Sequence, residues 1–264
     1  MTWLRRNRPL VLLLGGLVII AAAVAAAFVL AGNNEGSDSV GDVVKEKTPT
    51  QSRSGTVGGP DAITQLSPAE ASLNIDELPP GYEVDQSSTF AMNLTTFASS
   101  YWFRNNREGE EKAREWGIIN GFQVYYQPKG LFADVLRGIP YITIETYQFE
   151  DQAGARKAYA HLHNVLKNTP TSEPVEARPL ANESAAYRII QGTVGTSEQV
   201  AVYHRYIFRR GNTVVAVQTW GGDSYMNIDP ARNIAAAIDD KLLGTRPAVE
   251  PTPLPTPSFG TAGN

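Results

Sequence analysis

The sequence predicts an α+β fold: an antiparallel sheet with helices packed on one face, in a single ectodomain behind an N-terminal transmembrane helix. Three observations carry that prediction. Leu10 to Ala31 holds no charged residue, and about 22 residues at 1.5 Å each span a hydrocarbon core of ~30 Å. Between residues 122 and 220 several segments alternate apolar and polar side chains with the period of two that marks a half-buried strand. Two further segments, after Asp151 and after Asp229, carry apolar residues at helical spacing.

The orientation of the chain follows from charge. Arg5, Arg6 and Arg8 precede the apolar run and the first acid, Glu35, follows it, so the N-terminus is expected in the cytoplasm and the rest outside. Val29-Leu30-Ala31 also satisfies the small-residue rule of a signal-peptide cleavage site. Secretory apolar regions run only ~7 to 15 residues, however, so a retained single-pass signal anchor is predicted. Residues 1–9 are then a cytoplasmic stub and residues 10–31 the contact with the lipid bilayer. The chain has no cysteine, which removes lipidated-Cys anchoring, disulfides and thiol chemistry. Its net charge is −4, and −4 less the three cytosolic arginines leaves −7 on the exported part. That balance argues against nucleic acid or anionic lipid as a partner.

Residues 32–72 are rich in Gly, Ser, Thr and Asp and poor in large apolar side chains, and are read as a disordered tether. The ectodomain is placed at residues 73–244. Leu78-Pro79-Pro80-Gly81-Tyr82 signals a turn before a short strand. Phe90 to Phe103 is read as a helix on the spacing of Phe90, Leu94, Phe97 and Tyr101, against the weak helix formers Thr95, Thr96, Ser99 and Ser100. Arg107 to Trp116 reads as a helix stopped by Gly117, with Glu108 and Lys112 as an i,i+4 pair. Phe122, Val124 and Tyr126 alternate with Gln123, Tyr125 and Gln127 in a strand that Pro128-Lys129-Gly130 ends. Tyr141 to Phe149 is a second strand, with Ile142 and Ile144 on one face and Tyr141, Thr143, Glu145 and Tyr147 on the other.

Asp151 caps the next helix, whose stripe is Ala155, Ala158, Tyr159, Leu162, Val165 and Leu166, and Pro170 forbids its continuation. Strands follow at 184–191, 199–210 and 213–220. The last two are antiparallel neighbours joined at Gly211-Asn212, a pair that tolerates positive φ. Asp229-Pro230 opens the final helix and Gly244 closes it. Residues 245–264, with five prolines among threonines, form a disordered, polyproline-prone tail. Leu254-Pro255-Thr256-Pro257 lacks the Thr-Gly pair and the second hydrophobic span of a sortase signal. The order strand, strand, helix and then strand, strand, strand, helix suggests two similar halves.

A resemblance can be stated on particular residues. Trp116-Gly117 before Gly121-Phe122, the run Glu150-Asp151-Gln152-Ala153-Gly154-Ala155 opening a helix, and Phe208-Arg209-Arg210-Gly211-Asn212 at a hairpin together resemble tethered, exported α+β domains of uncharacterised bacterial envelope proteins. The similarity covers about residues 107–243. It implies a compartment and a fold class and carries no catalytic residue.

The residues able to do chemistry are few. His161 and His163, two apart on a helix, point about 200° apart, so one metal ion does not take both. His204 shares its strand face with Val200, Val202, Tyr206 and Phe208 and reads as a core or rim histidine. Glu145 sits among tyrosines, where a carboxyl pKa rises, but no second carboxylate can be paired with it as glycoside hydrolysis needs. Gly192 to Ser197 lies between strands without a lysine and reads as a hairpin loop rather than a phosphate loop. Asp223, Asn227 and Asp229 only loosely follow calcium-loop spacing. Asn93-Leu94-Thr95 and Asn182-Glu183-Ser184 match the glycosylation acceptor pattern. No metal site and no cofactor is expected. Tyr125 and Tyr147 share strand faces with Gln127 and Glu145, which suggests a partly open aromatic groove.

The function expected from sequence is a membrane-anchored extracytoplasmic binding or interaction module, sensor-like or accessory, without catalysis. Its partner is expected to be a membrane or envelope protein, and its ligand residues Tyr125, Tyr147, Glu145 and His204. The alternatives are an envelope hydrolase using Glu145 or His204 and a structural component of a membrane complex.

Overall fold

Strand ends and helix caps along residues 63–248 are set by local side chains. The computed structural model describes these residues, apart from 131 and 196. The predicted span at residues 10–31, the stub, residues 32–62 of the tether and residues 249–264 of the tail lie outside the described residues. In chain order the elements are α1 (Pro68–Ala71), β1 (Tyr82–Val84), β2 (Phe90–Met92), α2 (Leu94–Ala98), α3 (Asn106–Trp116) and β3 (Ile118–Pro128). There follow α4 (Phe132–Val135), β4 (Tyr141–Phe149), α5 (Gln152–Asn168) and β5 (Ser172–Pro174). The last are β6 (Glu183–Thr193), β7 (Val200–Arg210), β8 (Thr213–Gly222) and α6 (Asp229–Leu242). Among the described residues no helix is long and apolar enough to cross a membrane.

The strands form one antiparallel sheet in the order β1-β3-β4-β8-β7-β6-β5, with β2 also paired to β3. The register sets Tyr141 opposite Trp220 and Trp220 opposite Tyr203 across three neighbouring strands. Side chains alternate between the two sides of a strand, and each side of this sheet is covered. On one side Tyr147, Ile207, Val214 and Ala216 pack with Phe97, Trp102, Trp116 and the stripe Ala155, Ala158, Tyr159, Leu162 and Leu166 of α5. On the other, Val124, Ile142, Ile144, Tyr206, Phe208, Val215 and Val217 pack with Ile234, Ala235 and Ile238 of α6. We call these the α5 face and the α6 face.

The sequence-based expectation of helices on one face is therefore corrected: they cover both. The internal duplication falls with it. An axis normal to the sheet that related β3–β4 to β7–β8 would leave α5 and α6 on the same side, and they lie on opposite sides.

Local chemistry explains the boundaries. Asn105 caps α3 by accepting from the Glu108 amide, and Gly117 at φ 65 closes it in the left-handed region that glycine enters freely. Glu108 forms its ion pair with Arg104 and not, as the sequence led one to expect, with Lys112, which lies over the Trp116 ring instead. Asp151 caps α5 through the Gly154 amide. A side chain at Gly154 would stand 1.9 Å from the Trp116 carbonyl oxygen, so glycine is what lets α5 start against the end of α3. The predicted single helix over 90–103 is divided into β2 and the five-residue α2, because Asn93 breaks the chain and caps α2 through the Thr96 amide. Asp229 lies in the first turn of α6, and the Asn227 side chain takes its amide.

The domain starts earlier than residue 73. Ser67 and Glu70 form a reciprocal capping box around α1. The Thr64 amide donates to Asn212, Gln148 donates to the Thr64 and Leu66 carbonyls, and the hydroxyls of Ser72 and Thr146 share a hydrogen bond. Residues 63–78 thus form a strap across the α6 face. Lys241, wholly buried at the end of α6, fastens it by donating to the Ser72 carbonyl and to the Glu77 carboxylate, which Arg246 also pairs.

Candidate functional site

On the α5 face the roof stops halfway along the strands. Helices α2, α3 and α5 cover the half that contains Tyr147, Phe149, Val214 and Ile207. Toward the opposite end the inward positions are polar or aromatic and half-exposed: Gln123 and Tyr125 on β3, Thr143 on β4, Gln218 and Trp220 on β8, Tyr203 and Arg205 on β7. On the α6 face the residues at the same level, Val124, Ile142, Val217, Thr219, Val202 and His204, are all buried. One end of one face is left open.

The boundary between the roofed and open halves is a polar network. Trp102 donates its indole N–H to the Tyr147 hydroxyl at 2.9 Å, and that hydroxyl also faces the Glu145 carboxylate. Tyr101 donates its hydroxyl to Glu145 Oε2 at 2.8 Å and accepts from Arg205 Nη1 at 2.7 Å. Arg205 Nε donates to Gln218 Oε1 at 2.6 Å. The guanidinium lies 4.7 Å from the Tyr101 ring centre and 5.4 Å from that of Trp102. Tyr101 is 47% exposed along its ring, although its hydroxyl is held between two charged partners. Burial pushes the Glu145 carboxyl above its usual range, and the Arg205 charge with the surrounding hydroxyls and indole opposes the rise.

Beyond this network stands a row of rings. Tyr141 and Trp220 stack at 4.3 Å with 6° between their planes, and Tyr203 flanks Trp220 at 5.8 Å. Tyr125 adjoins Tyr141 at 5.9 Å and accepts from the Trp220 indole N–H at 3.4 Å. Val135, Leu136, Val194 and Ala201 close the far end. Burial raises the Tyr125 phenol to about 12.

The four residues predicted to bind a ligand separate. Tyr125 belongs to the open row. Tyr147, 1% exposed, is inside the roofed core against Phe97. Glu145, 5% exposed, lies between them beneath Tyr101. His204, 3% exposed, is on the α6 face, where its Nδ1 has no hydrogen-bond partner and it sits opposite Thr219. His161 bonds the Trp102 carbonyl and stacks on Phe103, while His163 lies between Tyr159 and Tyr187. Asp223 pairs with Arg188. Among the described residues no group of three acidic, histidine or cysteine side chains is placed to hold a metal ion. Arg205, Tyr101 and Gln218, which join Tyr125 at the open half, escaped sequence reasoning. Their only signal was the alternation of Tyr203 and Arg205 with His204 and Tyr206.

No family model matches the chain, and no curated protein matches it. Among solved structures, the extracellular domain of PknH from Mycobacterium tuberculosis is similar with a TM-score of 0.35 and 16% identity, over 65% of this chain and 92% of that one. A similarity of that depth identifies no family.

Proposed function

We propose that this chain is a membrane-tethered, extracytoplasmic binding module without catalysis, and that it holds its partner on the open half of the α5 face. The observation that carries the reading is the row of four aromatic side chains from four adjacent strands, with Tyr125, Tyr203 and Trp220 part-exposed around the buried Tyr141, beside a half-exposed arginine. Rings combining apolar flanks with hydroxyl and indole donors suit contact surfaces that are dry in one state and wet in the other. The predicted anchor at residues 10–31 and the partner, a membrane or envelope protein, belong to the same proposal.

The hydrolase alternative is weakened by geometry. Glu145 and His204 lie on opposite sides of the sheet and cannot act on one substrate, and Tyr101 covers Glu145. Glu145→Gln and His204→Gln should therefore leave the cellular role intact. The direct test is capture of membrane partners by the full chain and by Tyr125→Ala and Trp220→Ala variants. Both substitutions should abolish capture while the domain still melts cooperatively. Capture equal to that of the unaltered chain would overturn the proposed surface, and an inactive but normally stable Glu145→Gln protein would restore the enzyme reading.

A further inference from the structure

We infer that Arg205 is an anion seat, and that the open half of the α5 face takes a ligand carrying a single carboxylate joined to an apolar body. This rests on the binding reading above and names its ligand chemistry. A guanidinium offers five N–H donors in a rigid plane. Arg205 donates to Gln218 from Nε and to the Tyr101 hydroxyl from Nη1, and Nη2 has no partner among the described residues. No carboxylate among the described residues forms an ion pair with it. Glu145 feels the Arg205 charge but is hydrogen-bonded to it only by way of the Tyr101 hydroxyl, which donates to the carboxylate and accepts from the guanidinium.

The group is also held in place. Its plane rests on Tyr101 and Trp102, and Gln218 fixes the Nε edge, so little rotamer freedom remains to be lost when an anion docks. A half-exposed, pre-oriented cation with a free edge is matched by a planar carboxylate, which accepts two parallel N–H bonds. Charge selects a single carboxylate over a polyanion: beyond Arg5, Arg6 and Arg8 the chain carries −7 against its overall −4, and added negative charge on the ligand meets that field.

The register sets the rest of the ligand. Tyr203 precedes Arg205 by two residues on β7, and Trp220 follows Gln218 by two on β8, so the ring row begins about 7 Å along the strands from the guanidinium. A carboxylate at Arg205 then carries its apolar part over Tyr203 and Trp220. The molecule that fits is a small aryl or alkyl monocarboxylic acid.

The test uses 4-phenylbutyrate and its neutral amide as probes, read by the NMR cross-peak of the Trp220 indole N–H, assigned with Trp220→Phe. The acid should give a saturable shift at or below about 10 mM, and the amide should bind at least about tenfold more weakly. Arg205→Gln should lose at least about tenfold for the acid and nothing for the amide, with Arg205→Lys between. If Arg205→Gln fails to fold, the acid and amide compared on the unaltered chain decide. Equal binding of acid and amide, or an Arg205→Gln protein that binds the acid normally, overturns the anion seat and leaves the partner surface standing. Absence of any shift at Trp220 overturns it as well, while partner capture by the Tyr125 and Trp220 variants judges the binding reading separately.

Discussion

The two faces of this sheet are built from the same strands and reach opposite solutions. On the α6 face every inward residue from Ile144 and Val215 down to Thr219 and His204 is buried, with Ile142, Ile144, Val215 and Val217 packed beneath α6 and the strap of residues 63–78. On the α5 face the roof of α2, α3 and α5 ends at Glu145, and the row Tyr125, Tyr141, Trp220 and Tyr203 continues beyond it, packed at its far end with Val135 of α4, Val194 and Ala201. Both halves are apolar enough to pack, but only one is covered. Burial of apolar surface holds the strands flat from one side, which frees the far half of the other side from that duty.

The largest expected effect lies in the roofed core. Tyr147→Ala should cost about 3–5 kcal/mol and unfold the domain, because the ring fills space against Phe97 and Trp102. Tyr147→Phe keeps the ring and orphans the Trp102 indole N–H, for about 1–3 kcal/mol. Thermal or urea melts of both variants check this, and a Tyr147→Ala protein as stable as the unaltered one would erase the division between roofed and open halves.

Next is the strap. A chain starting at Ser67 loses the Thr64–Asn212, Gln148–Thr64 and Gln148–Leu66 bonds. At about 1 kcal/mol for each lost hydrogen bond it should be roughly 3 kcal/mol less stable than one starting at residue 63. Paired denaturant titrations measure the difference, and equal midpoints would mean that the strap adds no cover.

Acid should act through His204. Burial, helped by Arg188 and opposed by Asp223, lowers its pKa below 6.5. Above 6.5 the ring is neutral folded or unfolded. As pH falls below 6.5 the unfolded chain takes a proton that the buried ring refuses, so stability drops until the lowered folded value is reached. His161 is lowered in the same direction on the other face. Melting temperatures across this range should fall less steeply for His204→Gln than for the unaltered chain, and an unchanged slope would place His204 in contact with solvent.

The smallest effect belongs to the open row. Trp220→Ala should cost only about 1 kcal/mol, since the ring is only partly buried. A loss as large as that of Tyr147→Ala would show the open half to be core.

Much of this was legible in residues. The alternation of Ile142 and Ile144 with Tyr141, Thr143, Glu145 and Tyr147 assigned both faces of β4, and Gly211-Asn212 gave the central hairpin. Which side of the sheet each helix takes was not legible, because helical periodicity reports the buried side of a helix and nothing about its partner. The continuous run Val214-Val215-Ala216-Val217 did signal a strand covered on both faces. The strap was missed: its one local signal, the Ser67-Pro68-Ala69-Glu70 capping box, lies in a stretch whose polar composition reads as tether. The Tyr101–Arg205 contact had no such signal, since the two residues are 104 apart and meet only through the sheet.

The Lys241–Glu77–Arg246 cluster has a mechanical consequence. It ties residue 77 of the strap to the end of the last helix, so the first and last described segments are fastened together on the α6 face. Tension applied from the N-terminal side meets the Thr64–Asn212 and Gln148 bonds first, and tension applied beyond Arg246 meets the knot first. Both attachment points lie on the α6 face, opposite the aromatic row. A domain immobilised by either end therefore presents the row on its far side.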